Sequence, residues 1–283
     1  MGRHAATEPL GGSRCSSAYD GALDRRVATE HDDSELAALL EERARDGGPA
    51  SRRRITDAAS IDHDGTEYDR MAERDTPIGA LMRAHRGFRP VCFYSPYEAA
   101  VGAVLGQRMP IRRAAVLRRR LAETAGTAID VAGEKLFALP APDALLGVRA
   151  FDGLPREKLA RLHEVARAVE RGVLDAERLR AMPTSEALAS LRSIRGIGNW
   201  SAEHILMRGT GATDALPIAE PRVAAATAIA YADDSLARDQ DEFVNIARQW
   251  RPFRMWASVL LVWCHGFSSS VLSACRGRRP RRL

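Results

Sequence analysis

The chain has 283 residues, 45% of them hydrophobic, which is enough for one large core or two modest ones and excludes disorder throughout. No apolar run approaches the roughly 20 residues that cross a bilayer, and the opening MGRHAATEPLGG lacks the apolar stretch of a secretory signal, so a soluble cytoplasmic protein with no membrane partner is expected. The net charge of +5 is unevenly placed: residues 1–75 carry 11 Lys+Arg against 17 Asp+Glu, while the remainder carries 31 against 20, nearly all of its cations being arginine.

Arginine's planar fork suits phosphate oxygens. Charge alone leaves two readings equally open, a polyanionic partner or an arginine-rich solvated surface. The cysteines Cys15, Cys92, Cys264 and Cys275 are far apart and contain no C-x-x-C pair. That spacing argues against a zinc site, a disulfide framework or a cysteine-ligated iron-sulfur cluster, and no metal is expected.

In chain order, residues 1–53 read as an acidic, mostly disordered leader, with one short helix at Ser34 to Arg45. Residues 54–275 read as one folded body; a single short strand is expected around Ile55, and regular structure from near Tyr68. From there apolar residues recur at three- and four-residue steps between Pro, Gly and Asp punctuation, which predicts helices. Ser95-Pro96 starts one that buries Ala100, Val104 and Leu105, with Ser at the cap and Pro in the first turn. The next has Ala114, Leu117 and Leu121 on one stripe and Arg112, Arg113, Arg118, Arg119 and Arg120 on its other sides. Leu159, Leu162, Ala166 and Val169 predict another, and Trp256, Val259, Leu260 and Trp263 one near the end. About ten such segments, with strand signals scarce, imply an all-α body. Residues 276–283, RGRRPRRL, form a basic tail.

The most informative stretch is LRSIRGIGNWSAEHILM, Leu191 to Met207, within a helical hairpin over 188–207. An apolar helix runs into Gly196-Ile197-Gly198, and a second helix restarts at once. Glycines permit backbone angles closed to other residues and let the turn lie flat against another backbone. Amide N–H groups at the second helix's start then present its positive dipole end to a phosphate. A grip of this kind holds a DNA strand without reading its sequence. Taken alone, a G-x-G turn is weak evidence and more often a tight helix C-cap.

With its surroundings the chain resembles the helix-hairpin-helix DNA glycosylases, and within them the 3-methyladenine DNA glycosylase II type, over roughly Tyr68 to Trp263. The resemblance rests on Tyr94-Ser95-Pro96-Tyr97-Glu98 with Val104-Leu105-Gly106-Gln107, on the hairpin Ile194 to Ala202, on Asp214-Ala215-Leu216-Pro217 followed by Glu220, and on Trp250-Arg251-Pro252-Phe253-Arg254 with Leu260-Leu261-Val262-Trp263, all in the family's order. It implies an all-α body of about ten helices in two subdomains with a cleft between them, the family's N-terminal β domain being missing or vestigial here.

The resemblance also implies roles. The target nucleotide is turned out of the stack, because its glycosidic bond is unreachable inside the duplex. Arg108 or Met109, after Gln107, matches the wedge that fills the gap; a solvated loop arginine is the other reading of Arg108. Gln107, Arg195, Gly196, Gly198, Ser201 and Arg222 are expected at the DNA. Trp200 stands where strand-nicking relatives have a Schiff-base lysine, which implies a monofunctional enzyme using water. Trp200, His204, Trp263 and Tyr97 are expected around the base, with plain core packing the other reading of Trp263 and a structural histidine that of His204.

Glu220 matches the family's catalytic aspartate, which stabilises the oxocarbenium character of the departing sugar. Its extra methylene moves the carboxylate about 1 Å, and misplacement on that scale costs about a hundredfold in rate. Arg222 is expected to hold it ionised, and Asp214 is a second carboxylate whose other reading is a loop cap. The resemblance implies hydrolysis of N-alkylated purines such as 3-methyladenine from damaged double-stranded DNA by a monomer near the nucleoid. No redox cofactor or catalytic metal is expected, and a monovalent cation on hairpin carbonyls is a family option. The alternatives are a catalytically retired damaged-DNA binder and a glycosylase for another lesion class.

Overall fold

The computed structural model describes residue 60 and residues 65–131 and 134–265. The expected leader with its helix at Ser34 to Arg45, the strand near Ile55, the basic tail, and Cys15 and Cys275 lie outside the described residues. Within them the chain is helical with one small hairpin of strands. The helices are α1 (Gly65–Arg74), α2 (Thr76–Ala84), α3 (Pro96–Gly106) and α4 (Ile111–Ala125), then β1 (Ala128–Val131) and β2 (Glu134–Phe137). There follow α5 (Pro142–Gly147), α6 (Arg156–Glu170), α7 (Ala176–Ala181), α8 (Thr184–Arg192), α9 (Asn199–His204), α10 (Pro221–Tyr231), α11 (Gln240–Ala247) and α12 (Arg254–His265).

Helix starts follow local chemistry. Ser95 Oγ accepts the Glu98 N–H at 3.2 Å with Pro96 in the first turn of α3. Ala99, Ala100, Val101, Val104 and Leu105 are then buried. In α4 Leu117, Leu121 and Ala122 turn inward while the arginines stay on the outer sides. The strand pair was not expected. It is antiparallel with Ala128 opposite Phe137 and Ile129 opposite Leu136. Each strand has only four residues, too few for an alternation to show, and Leu136 and Phe137 are exposed.

Two apolar cores organise the chain. The first is built from α3 through α9, with Leu105, Leu121, Leu145, Leu162, Leu179, Leu191 and Ile194 at its centre. The second joins Tyr68, Met71, Ile78 and Met82 of α1 and α2 to residues after Met207, including Phe243, Trp250, Trp256 and Leu260. The chain therefore leaves the second core once, builds the first, and returns. Where the outgoing and returning segments pass, Phe93 N–H donates to Arg208 O at 2.7 Å. A Cβ on Gly209 would come within 2.8 Å of Pro96 Cα, so only glycine lets α3 and the returning turn approach so closely. That turn, Ile205–Gly209, continues α9 as a π-helix, a geometry that often marks a functional segment.

Candidate functional site

The site lies where the two cores meet. On the first-core side the hairpin between α8 and α9 is anchored by Leu191, Ile194 and Ile197, all buried. Its two glycines do different work. Gly196 has φ +95°, and a Cβ there would sit 2.8 Å from Arg161 Cγ and Cδ. Gly198, the N-cap of α9, has extended backbone at φ −93° and ψ −174°, and a Cβ there would meet nothing within 4 Å. The second glycine therefore answers to no internal backbone demand, contrary to the sequence argument for both; what it leaves is open space before an uncapped helix start. The Gly198 carbonyl accepts the first helical bond, from Ala202 N–H at 2.9 Å. Arg195 is exposed. Ser201 is only 5% exposed, so little of it is open to a DNA contact.

Trp200, half-buried on α9, stacks one ring face on His204, with centroids 5.0 Å apart and planes 9° from parallel. Phe93 meets His204 edge-on at 5.7 Å. Although part of His204 stays accessible, burial and then the charges of Arg208 and Arg222, only partly opposed by Glu220, push its imidazole down to about 3, so it is neutral at ordinary pH.

From the second-core side, Glu220 caps α10. Its Oε1 accepts the Arg222 backbone N–H at 3.1 Å and Arg222 Nε at 2.9 Å. Its Oε2 accepts Arg222 Nη2 at 2.7 Å and Trp200 Nε1 at 2.9 Å. Burial raises the Glu220 carboxyl, but the guanidinium and the indole outweigh it and hold the group below the usual carboxylate range. The side chains are 14% exposed for Glu220 and 21% for Arg222. Fixed partners around a carboxylate at such low exposure make a preorganised negative charge beside an aromatic face.

The expected wedge loop follows α3. Arg108 is exposed with a left-handed backbone at φ 51°, whereas Met109 packs against the first core. Gln107 does not face outward as a free DNA contact. Its Nε2 donates to Gly196 O, and its Oε1 accepts Arg161 Nη1, both at 2.7 Å. Lys158 Nζ donates to Leu105 O at 2.9 Å and Gln107 O at 2.7 Å, closing the C-terminus of α3. Lys158 and Arg161, which hold the end of α3 and Gln107 from α6, escaped the sequence reading because their spacing on α6 reads as an ordinary solvated face. Of the hairpin carbonyls, Ile194 O and Gly196 O already accept from Ile197 N–H and Gln107, leaving a cation only their second lone pairs.

Other expected residues sit elsewhere. The Tyr97 hydroxyl donates to Pro140 O at 2.7 Å while its ring packs on the first core. Trp263 pairs with Phe88 at 6.1 Å, and no ring contact joins it to Trp200 among the described residues. Asp214 takes a two-pronged pair from Arg254, at 2.7 and 2.8 Å. It ties its loop to the start of α12 and does not belong to the Trp200–Glu220 group.

No protein-family model matches the chain. It is 26% identical over 205 residues to the DNA-3-methyladenine glycosylase of Bacillus subtilis, a match covering 71% of this chain and about two thirds, 67%, of that protein. Among solved structures it resembles the 3-methyladenine DNA-glycosylase from Archaeoglobus fulgidus, with a TM-score of 0.65 and 21% identity over 84% of this chain and 77% of the other. It also resembles the Clostridium acetobutylicum 8-oxoguanine glycosylase/lyase in complex with double-stranded DNA, with a TM-score of 0.58 and 18% identity over 73% and 72%. The chain has the all-α fold of the helix-hairpin-helix glycosylases.

Proposed function

We propose that this protein is a monofunctional DNA glycosylase that turns N-alkylated purines of the 3-methyladenine type out of damaged duplex DNA and hydrolyses their glycosidic bond, acting as a monomer near the nucleoid. The observation that carries the reading is the 2.9 Å bond from Trp200 Nε1 to Glu220 Oε2. It places an aromatic face and an ionised carboxylate, from opposite sides of the junction between the cores, within one site. The Trp200 face away from His204 suits an electron-poor alkylated base. As the C1′–N bond breaks, its electron pair leaves with the base, and Glu220 opposes the positive charge growing on the sugar. Water forms the new C1′–O bond, and its proton passes to solvent. Trp200 stands where a Schiff-base amine would be needed, so no strand cleavage by that route is expected. Glu220 in place of an aspartate is accommodated by capping α10 and by the Arg222 fork.

The DNA contacts in this reading are Arg108 as the wedge, rather than the packed Met109, and the hairpin amides beyond Gly198 with Arg195 beside them. One observation favours a second reading, a binder with a retired site: the Arg222 fork occupies both Glu220 oxygens and neutralises much of their field. The deciding experiment is release of bases from methylated duplex DNA by the protein and by Glu220→Gln, with alkali added afterwards to reveal abasic sites. Release by the parent, a loss of at least about a hundredfold in the variant, and no strand breaks before alkali are expected. Duplex binding without release by either protein, weakening as salt rises, would leave only the binder. Release of oxidised rather than alkylated purines would move the substrate to another lesion class.

A further inference from the structure

Glu203 stands on α9 nearly one helical turn after Trp200, and its Oε2 accepts the backbone N–H of Ala219 at 2.7 Å. Ala219 immediately precedes Glu220. The other backbone bonds of this loop are local, Ile218 N–H to Leu216 O at 3.1 Å and Glu220 N–H to Pro217 O at 3.3 Å. The Glu203 bond therefore fastens the peptide before Glu220 to the helix that carries Trp200. We infer that Glu203 is a positioning residue, which holds Ala219 so that the Glu220 carboxylate meets the Trp200 indole; its meaning for catalysis rests on the glycosylase reading.

Two carboxylates this near each other repel, and an arrangement that keeps them together needs compensation on both. Arg222 neutralises Glu220. Burial raises the Glu203 carboxyl and the charge of Glu220 adds to this, while the Ala219 N–H and the charge of Arg192 oppose them. Glutamate at 203 has the reach to span α9 and the loop, and the same acceptor is available in glutamine but not in alanine. Aspartate keeps the charge and lacks one methylene of reach.

The test compares Glu203→Gln, Glu203→Asp and Glu203→Ala in the full chain, with two readouts: the indole N–H resonance of Trp200, assigned by its loss in Trp200→Phe, and single-turnover and steady-state base release. Glu203→Gln is expected to keep the resonance and to stay within about threefold of the parent kcat. Glu203→Ala and Glu203→Asp are expected to shift the resonance toward that of a solvent-exposed indole and to lower kcat about ten- to a hundredfold at unchanged KM, as for a displaced group that acts in the transition state. An unmoved resonance in both Asp and Ala variants overturns the inference, as does a Gln variant as impaired as Ala. Resonances that follow the expected pattern in a parent that releases no base would uphold the positioning role and defeat the glycosylase reading alone.

Discussion

Glu220 engages both carboxylate oxygens, and most of its partners come from a residue two positions away. The pairing with Arg222 sets the pH range over which the carboxylate is charged. Burial by itself would raise the group; the guanidinium brings it below its ordinary value. A carboxylate with a depressed pKa stays in its working form as pH falls, down to that lowered pKa. In Arg222→Ala burial is opposed only by the indole and one backbone amide, so the carboxylate should protonate earlier. The acid limb of the pH–rate profile for base release is expected to move to higher pH, whereas an unmoved limb would show that Glu220 does not govern it. The spacing of Trp200 and Glu220 in sequence was enough to nominate both, because the family's motif order places them. Their mutual hydrogen bond was not legible, since it joins side chains across two elements and depends on how far the loop before α10 folds back.

The hairpin between α8 and α9 separates two uses of glycine that look alike in sequence. Gly196→Ala would put a Cβ into the left-handed region at φ +95° and against Arg161, at a cost of roughly 1–3 kcal/mol. Gly198→Ala meets neither obstacle, so its stability should stay within about 0.5 kcal/mol of the parent. If phosphate approaches the uncapped start of α9, however, the added methyl stands in its way, and duplex affinity should fall about tenfold in Gly198→Ala while the urea midpoint holds. Unchanged affinity in a correctly folded Gly198→Ala would remove the hairpin amides from the DNA contact. At this scale the helices were legible, because Ser95-Pro96 and the apolar spacing of α3, α4 and α6 are local signals that the structure honours. The strands β1 and β2 were too short to leave a pattern. The Gln107 clamp was invisible because its partners, Gly196 and Arg161, lie 89 and 54 residues away. Trp263 stayed open between base pocket and core packing for a related reason: a periodic stripe tells which side of α12 is buried, not which element covers it.

Across the whole molecule, the second core is assembled from the two ends of the described chain, so its integrity fixes where Glu220 stands relative to α9. Asp75 is the polar knot that joins those ends. It is buried, and its Oδ1 caps α2 by accepting the Ile78 N–H at 3.0 Å. Its Oδ2 accepts the Tyr231 hydroxyl at the end of α10 and Trp250 Nε1 at 3.2 Å. The Trp250 indole also lies 2.9 Å from the Tyr231 oxygen, so one carboxylate ties α2 to α10 and to the turn before α12. Apolar burial of Trp250 and Trp256 supplies bulk stabilisation here, but it does not by itself fix how α10 is turned, whereas directed hydrogen bonds do. Asp75→Ala would leave the Tyr231 phenol without its buried acceptor, leave the Trp250 indole with only the Tyr231 oxygen, and remove a helix cap, which together should cost about 3 kcal/mol, read as a lower urea midpoint. Because the first core contains none of these groups, amide exchange in α3 to α8 should change less than in α2 and α10 when measured under native conditions. Equal loosening of both regions would mean that the two cores unfold as one unit, and that the site between them is held by their joint stability rather than by the local bonds around Glu220.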